Sequence, residues 1–230
     1  MGQVKARLLE GAPAQHIVDL LHEAPAYNAH AGAHLLAAFA STFPPGTVFL
    51  AVVDPGVGTV RDAVVLLSGG QWYVGPDNGL MSIVAGRNRD ARVWRIVWEP
   101  EVLSATFHGR DLFAVIAAEI ARGDFPDDKL IEIAKLNVVF DDQDLARVIY
   151  LDHFGNAWTG IRGAEIPQQA RLTAKAASFE HSESFGFVGR GQGFWFVNSV
   201  GLVELAVNRG NAAQSFGLSV GDPVQIQRPH

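Results

Sequence analysis

Apolar positions along this chain follow two rhythms, and the change between them divides it. Leu112, Phe113, Ile116, Ala117 and Ile120 recur at helical spacing, which predicts an amphipathic helix over 110–122. Residues 31–43 read as an Ala-rich helix stopped by Pro44-Pro45-Gly46. Residues 3–9 have helical spacing without a capping residue, and 80–85 read as a short helix. Between these lie apolar runs of strand length at 16–20, 47–54, 63–67, 71–74 and 93–97, with Ser68-Gly69-Gly70 as a hairpin turn. After the polar break Gly123-Asp124-Phe125-Pro126-Asp127-Asp128, short strands dominate: 146–151, 157–161, 193–197, 202–206 and 224–227, with only 211–216 helical. The expected architecture is an α/β N-terminal domain over 1–124, a linker over 125–138 and a smaller all-β barrel over 139–230.

Composition narrows the class. At 48% hydrophobic and 18% charged, the chain is a folded globular protein. A net charge of −6 without a Lys/Arg-rich run argues against a nucleic-acid partner. The absence of cysteine removes disulfides, thiolate metal sites and cysteine nucleophiles, and fits a cytoplasmic location. No apolar run reaches the length of a membrane span, and no signal-peptide core follows Met1.

Candidate chemistry concentrates in four segments. In Val53-Asp54-Pro55-Gly56-Val57-Gly58-Thr59-Val60-Arg61 an acid and a base flank a Gly-rich turn behind a buried strand. Open α/β sheets bind ligands at such strand ends, although a plain turn closed by an ion pair has the same pattern. Gly75-Pro76-Asp77-Asn78-Gly79 reads equally as an ordinary tight turn. His108, in Phe107-His108-Gly109-Arg110-Asp111 just before a helix, could move protons near neutrality, or be structural. Asp152-His153-Phe154-Gly155-Asn156, followed by Trp158, puts aromatic faces beside amides, as a purine site would and as a core hairpin also would. No phosphate loop, zinc helix or Gly-x-Ser-x-Gly elbow occurs.

In this order, the four segments closely resemble the S-adenosylmethionine (SAM) hydroxide adenosyltransferases, the adenosine-forming SAM hydrolases related to the fluorinase and chlorinase. The likeness runs from Gly2 to the C-terminal end and includes Asn198-Ser199-Val200-Gly201-Leu202-Val203-Glu204-Leu205-Ala206. The resemblance implies an α/β domain and a β-barrel, a homotrimer with ligand held at subunit boundaries, and hydrolysis of SAM to adenosine and L-methionine. SAM is then the substrate, and no cofactor or metal is implied. The family's catalytic set falls on Asp54, Arg61 and His108. By the chemistry of these residue types, Asp54, kept ionised by Arg61, is expected to orient water and to be a poor base, Arg61 to fix it and favour an anionic nucleophile, and His108 to accept the proton. Substrate contacts fall on Asp152, Phe154, Asn156 and Ser199, with Tyr27 and Asn78 lining the same pocket. A chlorinase-like halogenase is the enzymatic rival. The full Asp-Arg-His set, and the lack of room for an insertion at Ser68-Gly69-Gly70, favour hydroxide transfer. Relatives also open with a buried strand ending in Thr-Asp-Phe-Gly, whose Asp grips the ribose. This sequence supplies neither, so the sheet is expected to expose an edge. A miscalled start would leave a longer, active natural protein. A real truncation would leave a catalytically weak adenosine- or SAM-binding module.

Overall fold

Val64, Val65 and Leu66 are fully buried although their side chains face opposite sides of one sheet, so both faces of that sheet must be covered. The strands are β1 (Val48–Leu50), β2 (Ala63–Ser68), β3 (Gln71–Pro76), β4 (Arg92–Ile96) and β5 (Leu130–Ile133), in the order β1-β3-β2-β4-β5. Only β1 and β3 run parallel. Helices α1 (Gly2–Gly11) and α4 (Ala114–Arg122) pack on one face through Leu8, Ile116 and Ile120, with Val65, Val74 and Trp94. Helices α2 (Ala29–Ala40) and α3 (Ser82–Gly86) cover the other through Leu36, Met81 and Val84, with Val64, Leu66 and Tyr73. This computed structural model describes residues 1–229, and the chain divides into two units at Asp142/Gln143. The last position of the expected barrel domain, His230, lies outside the described residues.

Local sequence explains the element ends. The Asn28 side chain caps α2 by accepting from Ala31 N at 3.0 Å. Helix α4 is entered through a π-helical turn, Gly109–Phe113, and stopped by Gly123 at φ 88°. Two strand expectations fail. Residues 16–20 form no strand: the segment is largely exposed, and Asp19 is tied to Lys5 and His22 instead of joining a ladder. The strand expected over 47–54 is regular only at Val48–Leu50. Beyond it Ala51 still donates to Val74 O at 3.0 Å. The Ala51 carbonyl also crowds Gly75, where an added Cβ would lie 2.1 Å from its oxygen. That approach is open only to glycine and draws the backbone off the regular path.

Strand β1 has a hydrogen-bonded neighbour on one side only, so the expected open edge is present. Beside it lies an apolar hollow of about 500 Å³, lined by Leu8, Leu35, Phe39, Val48, Leu50 and Ala118 among others. The stretch 125–138, expected as a linker, contains β5 and the buried Leu136, because Leu130 and Leu136 have apolar faces to place against the sheet unit.

The second unit is one sheet of seven strands: β6 (Leu145–Leu151), β7 (Ala157–Arg162), β8 (Arg171–Ala174), β9 (Ala177–His181), β10 (Gly193–Val197), β11 (Leu202–Val207) and β12 (Val224–Gln227). Their order is β12-β8-β9-β10-β11-β7-β6. Arg147 bridges to Pro223, and Val148 exchanges hydrogen bonds of 2.8 and 2.9 Å with Gly221 and Asp222, so the first and last strands almost meet and the sheet is nearly a barrel. Phe179, Trp195, Val203 and Leu205 fill it, and Trp195 donates to Ala170 O at 3.0 Å. The unit is not wholly β. A short helix, α5 (Ala212–Phe216), is capped by Asn211 and sets Phe216 edge-on to Phe179. Strands β8 and β9 were not expected, because the turn joining them uses Lys175 at φ 53° instead of a glycine.

Candidate functional site

The Asp54–Arg61 loop folds back on itself. Thr59 donates through its hydroxyl to Gly56 O at 2.7 Å and through its backbone at 3.1 Å. Gly58 takes φ 76°, and a Cβ there would lie 2.5 Å from the Ala105 carbonyl oxygen. The loop therefore needs glycine to pass close to the segment that leads to His108. Its closure brings Arg61 onto Asp54: Nε donates to both carboxylate oxygens, at 3.0 and 3.1 Å, and the terminal NH2 makes a further close contact. The side chains of Arg61 and Asp54 are only 10% and 5% exposed, so this pair is shielded from water, unlike the surface ion pair that the sequence also allowed. The guanidinium carbon lies 5.2 Å from the Phe113 ring centre.

His108 completes the cluster, with Nδ1 3.1 Å from the same Arg61 NH2 group. A guanidinium has no acceptor, so Nδ1 must accept. The neutral ring then carries its proton on Nε2. Burial holds the His108 pKa below 6.5, the Arg61 charge lowers it further, and Asp54, Asp111 and Glu99 oppose both effects. Protonating Nδ1 would break its bond to Arg61 and set two cations together. The expectation that His108 accepts the proton therefore meets a physical obstacle in this arrangement. Asp111 anchors the segment by accepting from Ser104 N at 2.9 Å and by pairing with Arg110.

Asn78 stands behind this cluster. Its Nδ2 donates to Val53 O at 2.8 Å and its Oδ1 accepts from Leu80 N at 3.2 Å, so it fixes the backbone next to Asp54. Its neighbour Asp77 is buried and accepts from Asn137 N at 2.9 Å; burial raises its pKa, and the backbone bonds from Asn137 and Val138 work against that. Tyr27 is largely exposed, at φ 61°, immediately before the α2 cap.

The second unit builds a separate polar cluster on the β6–β7 turn. Asp152 Oδ1 accepts from Phe154 N at 2.9 Å and from Asn156 N at 2.8 Å, while Oδ2 accepts from Asn156 Nδ2 at 3.1 Å. The turn is clamped at Gly155, where φ is 84° and a Cβ would lie 2.1 Å from the Asn211 side chain. Phe154 projects outward, mostly exposed, and Ser199 is exposed on the β10–β11 turn. Trp158 lies edge-on to Tyr150, as a core hairpin residue would.

Sequence reading passed over Glu204. It is buried on β11 and accepts from Asn198 Nδ2 at 3.1 Å. Desolvation pushes its pKa up to about 7, the amides of Asn198 and Asn156 oppose that, and the Asp152 charge adds to it. The available signal was a single carboxylate inside the otherwise apolar Leu202-Val203-Glu204-Leu205-Ala206. Among the described residues no group of three or more His, Asp or Glu side chains is placed to hold a metal ion, and no helix is long and apolar enough to cross a membrane.

Residues 1–129 match the SAM hydroxide adenosyltransferase N-terminal domain, and 146–225 match the C-terminal domain of the same family. The chain is 36% identical to an (R)-S-adenosyl-L-methionine hydrolase of Thermus thermophilus, over 97% of this chain and 92% of that one. Similarity to a fluorinase of Actinopolyspora mzabensis is lower, at 26% over 92% of this chain and 87% of that protein. A crystal structure of an uncharacterized conserved protein from Thermotoga maritima superposes with a TM-score of 0.87 at 32% identity, covering 99% of this chain and 94% of the other.

Proposed function

This chain belongs to the SAM hydroxide adenosyltransferase family, and from that we propose that it hydrolyses SAM to adenosine and L-methionine. The observation that carries the reading is the convergence of Asp54, Arg61 and His108 from separate segments into one shielded cluster. Water attacks the ribose 5′ carbon as the carbon–sulfur bond breaks. The sulfonium takes the bonding electrons and leaves as a neutral thioether, so no acid is needed at the leaving group. One proton from water must be released. The main task is to hold the water in line near contact distance. Arg61 and the Nε2–H of His108 are donors suited to a developing hydroxide. With Nδ1 occupied, His108 acts as a donor that orients the nucleophile; Asp54, held ionised by Arg61, orients the water by accepting a hydrogen bond from it, and the proton passes to solvent.

We assign Asp152, Phe154, Asn156 and Ser199 to substrate binding, with Tyr27 lining the same pocket. Support comes from residue type: a carboxylate for the amino group, an aromatic face for the purine and an amide for its edge. Asn78 acts by holding Val53 beside Asp54. The exposure of Tyr27, Phe154 and Ser199 in the single chain supports a homotrimer in which a neighbouring subunit covers them. The chemistry requires no metal or other cofactor.

Incubating the purified protein with SAM should release adenosine and methionine in equal amounts, with or without a chelator. A halide-dependent 5′-haloadenosine product would replace hydrolysis with the halogenase reading. Tight SAM binding without turnover would leave a binding module.

A further inference from the structure

Two turns assigned above to substrate, Asp152–Asn156 joining β6 to β7 and Asn198–Ser199 leading from β10 into β11, have one buried side chain between them, on β11. Asn198 organises the second turn as Asp152 organises the first. Its Oδ1 accepts from Val200 N at 3.2 Å and from Leu202 N at 3.0 Å. That leaves its Nδ2 to reach inward, where it donates to Glu204 Oε2 at 3.1 Å. From the other side Asn156, two residues before Trp158 on the same face of the sheet, is a diagonal neighbour of Glu204 whose amide works against the raised pKa, and Asn156 itself is held by Asp152 Oδ2 at 3.1 Å. Glu204 faces Trp158 across β7 and Phe196 across β10, so its carboxyl sits between aromatic strands and not in water. Asp152 is the charged group that faces it.

We infer that Glu204 is a positioning residue that couples the Asp152–Asn156 turn to the Asn198–Ser199 turn, so that the two present their ligand groups in a fixed relation. The physical reason is its cost. A strand interior gains from an apolar side chain, and a buried carboxyl is tolerated only where its partners satisfy it. Both partners here are amides whose other atoms define the turns. A near-neutral pKa fits this arrangement, because a protonated Glu204 can accept from Asn198 through its carbonyl oxygen and turn its hydroxyl towards Asp152. The inference rests on the substrate reading above for its catalytic consequence, but not for the coupling of the turns.

Two variants separate the amide network from simple packing. Glu204→Leu keeps the bulk and removes the acceptors. Asn198→Asp keeps the acceptor for Val200 and Leu202 and removes the donor to Glu204. Each should raise KM for SAM about tenfold while kcat changes less than about twofold, since a fault in alignment of the bound ends acts on binding. Glu204→Gln alone keeps one acceptor and should raise KM less than Glu204→Leu does. Combined with Asn198→Asp it should restore KM, because the new amide can donate to the new carboxylate. Amide hydrogen exchange, read without SAM, should quicken at both Phe154/Asn156 and Val200/Leu202 in Glu204→Leu. If only one pair quickens, or if KM is unchanged in both single variants, the coupling is refuted. If the wild type makes no adenosine, the substrate reading fails while the exchange result still decides the coupling. Should Glu204→Leu not fold, Asn198→Asp and its rescue carry the same decision.

Discussion

Replacing Arg61 with Met tests the shielded pair at the centre of the candidate site. The side chains of Asp54 and Arg61 are 5% and 10% exposed, and the bonds between them take up Nε and one NH2 of the guanidinium. Arg61→Met leaves the Asp54 carboxylate with little water and no counter-charge, which costs about 3–5 kcal/mol. Loss of the contact with Phe113 is partly offset by the Met stem. For a chain of this size each kcal/mol lowers Tm by about 2–4 °C, so the first unit should melt about 6–20 °C earlier. Asp54→Asn added to Arg61→Met should cost less than Arg61→Met alone, because no unpaired charge remains. The same variant removes one of the two influences that depress His108, so an NMR titration of that ring should shift upward in Arg61→Met. Differential scanning calorimetry and the titration together decide the matter. A loss below about 1 kcal/mol would place the pair in the class of surface ion pairs. An unmoved His108 would mean that Arg61 does not act on it.

Three further outcomes are expected. His108→Gln, which keeps an N–H donor, should retain clearly more adenosine formation than His108→Ala; equal loss in both would make His108 the base after all. Glu204 has a pKa raised from 4.5 to about 7, so its neutral form favours the fold below about pH 4.5, and that contribution is lost as pH rises towards 7. The span of about 2.5 units corresponds to about 3 kcal/mol, so urea midpoints of wild type should fall across this window relative to Glu204→Gln, and parallel curves would contradict it. Gly155→Ala should cost about 1–3 kcal/mol and loosen the Asp152 turn, since its Cβ would overlap Asn211 and the backbone is left-handed; unchanged thermal unfolding would show that the turn has slack.

Much of this could be read from residue order, and the exceptions have physical causes. The Ser68-Gly69-Gly70 hairpin and the α4 stripe follow rules that span a few residues, so pattern alone finds them. Strands β8 and β9 escape because a lysine serves where a glycine is usual. The 16–20 run looks like a strand but has no ladder, and the 47–54 run is cut short by the Ala51–Gly75 approach, which depends on a neighbour more than twenty residues away. Asp54 and Arg61 could be paired from their spacing, whereas their contact with His108, 47 residues on, became an expectation only through the family resemblance. The tautomer of His108 was out of reach, since it follows from which atom faces a group that can only donate. Tyr27, Phe154 and Ser199 lie exposed, and no local pattern distinguishes them from ordinary surface.

The seam between β6 and β12 sets a condition on how the second unit forms. Val148 and Asp222, bonded across that seam, lie near opposite ends of that unit's stretch of chain. A ring of this kind cannot be completed piecemeal during synthesis: until the final strand leaves the ribosome, β8 and β6 each carry an unsatisfied border. Nascent chains halted before residue 222 should therefore be sticky and protease-sensitive in this half, and closure should come as one late, slow event.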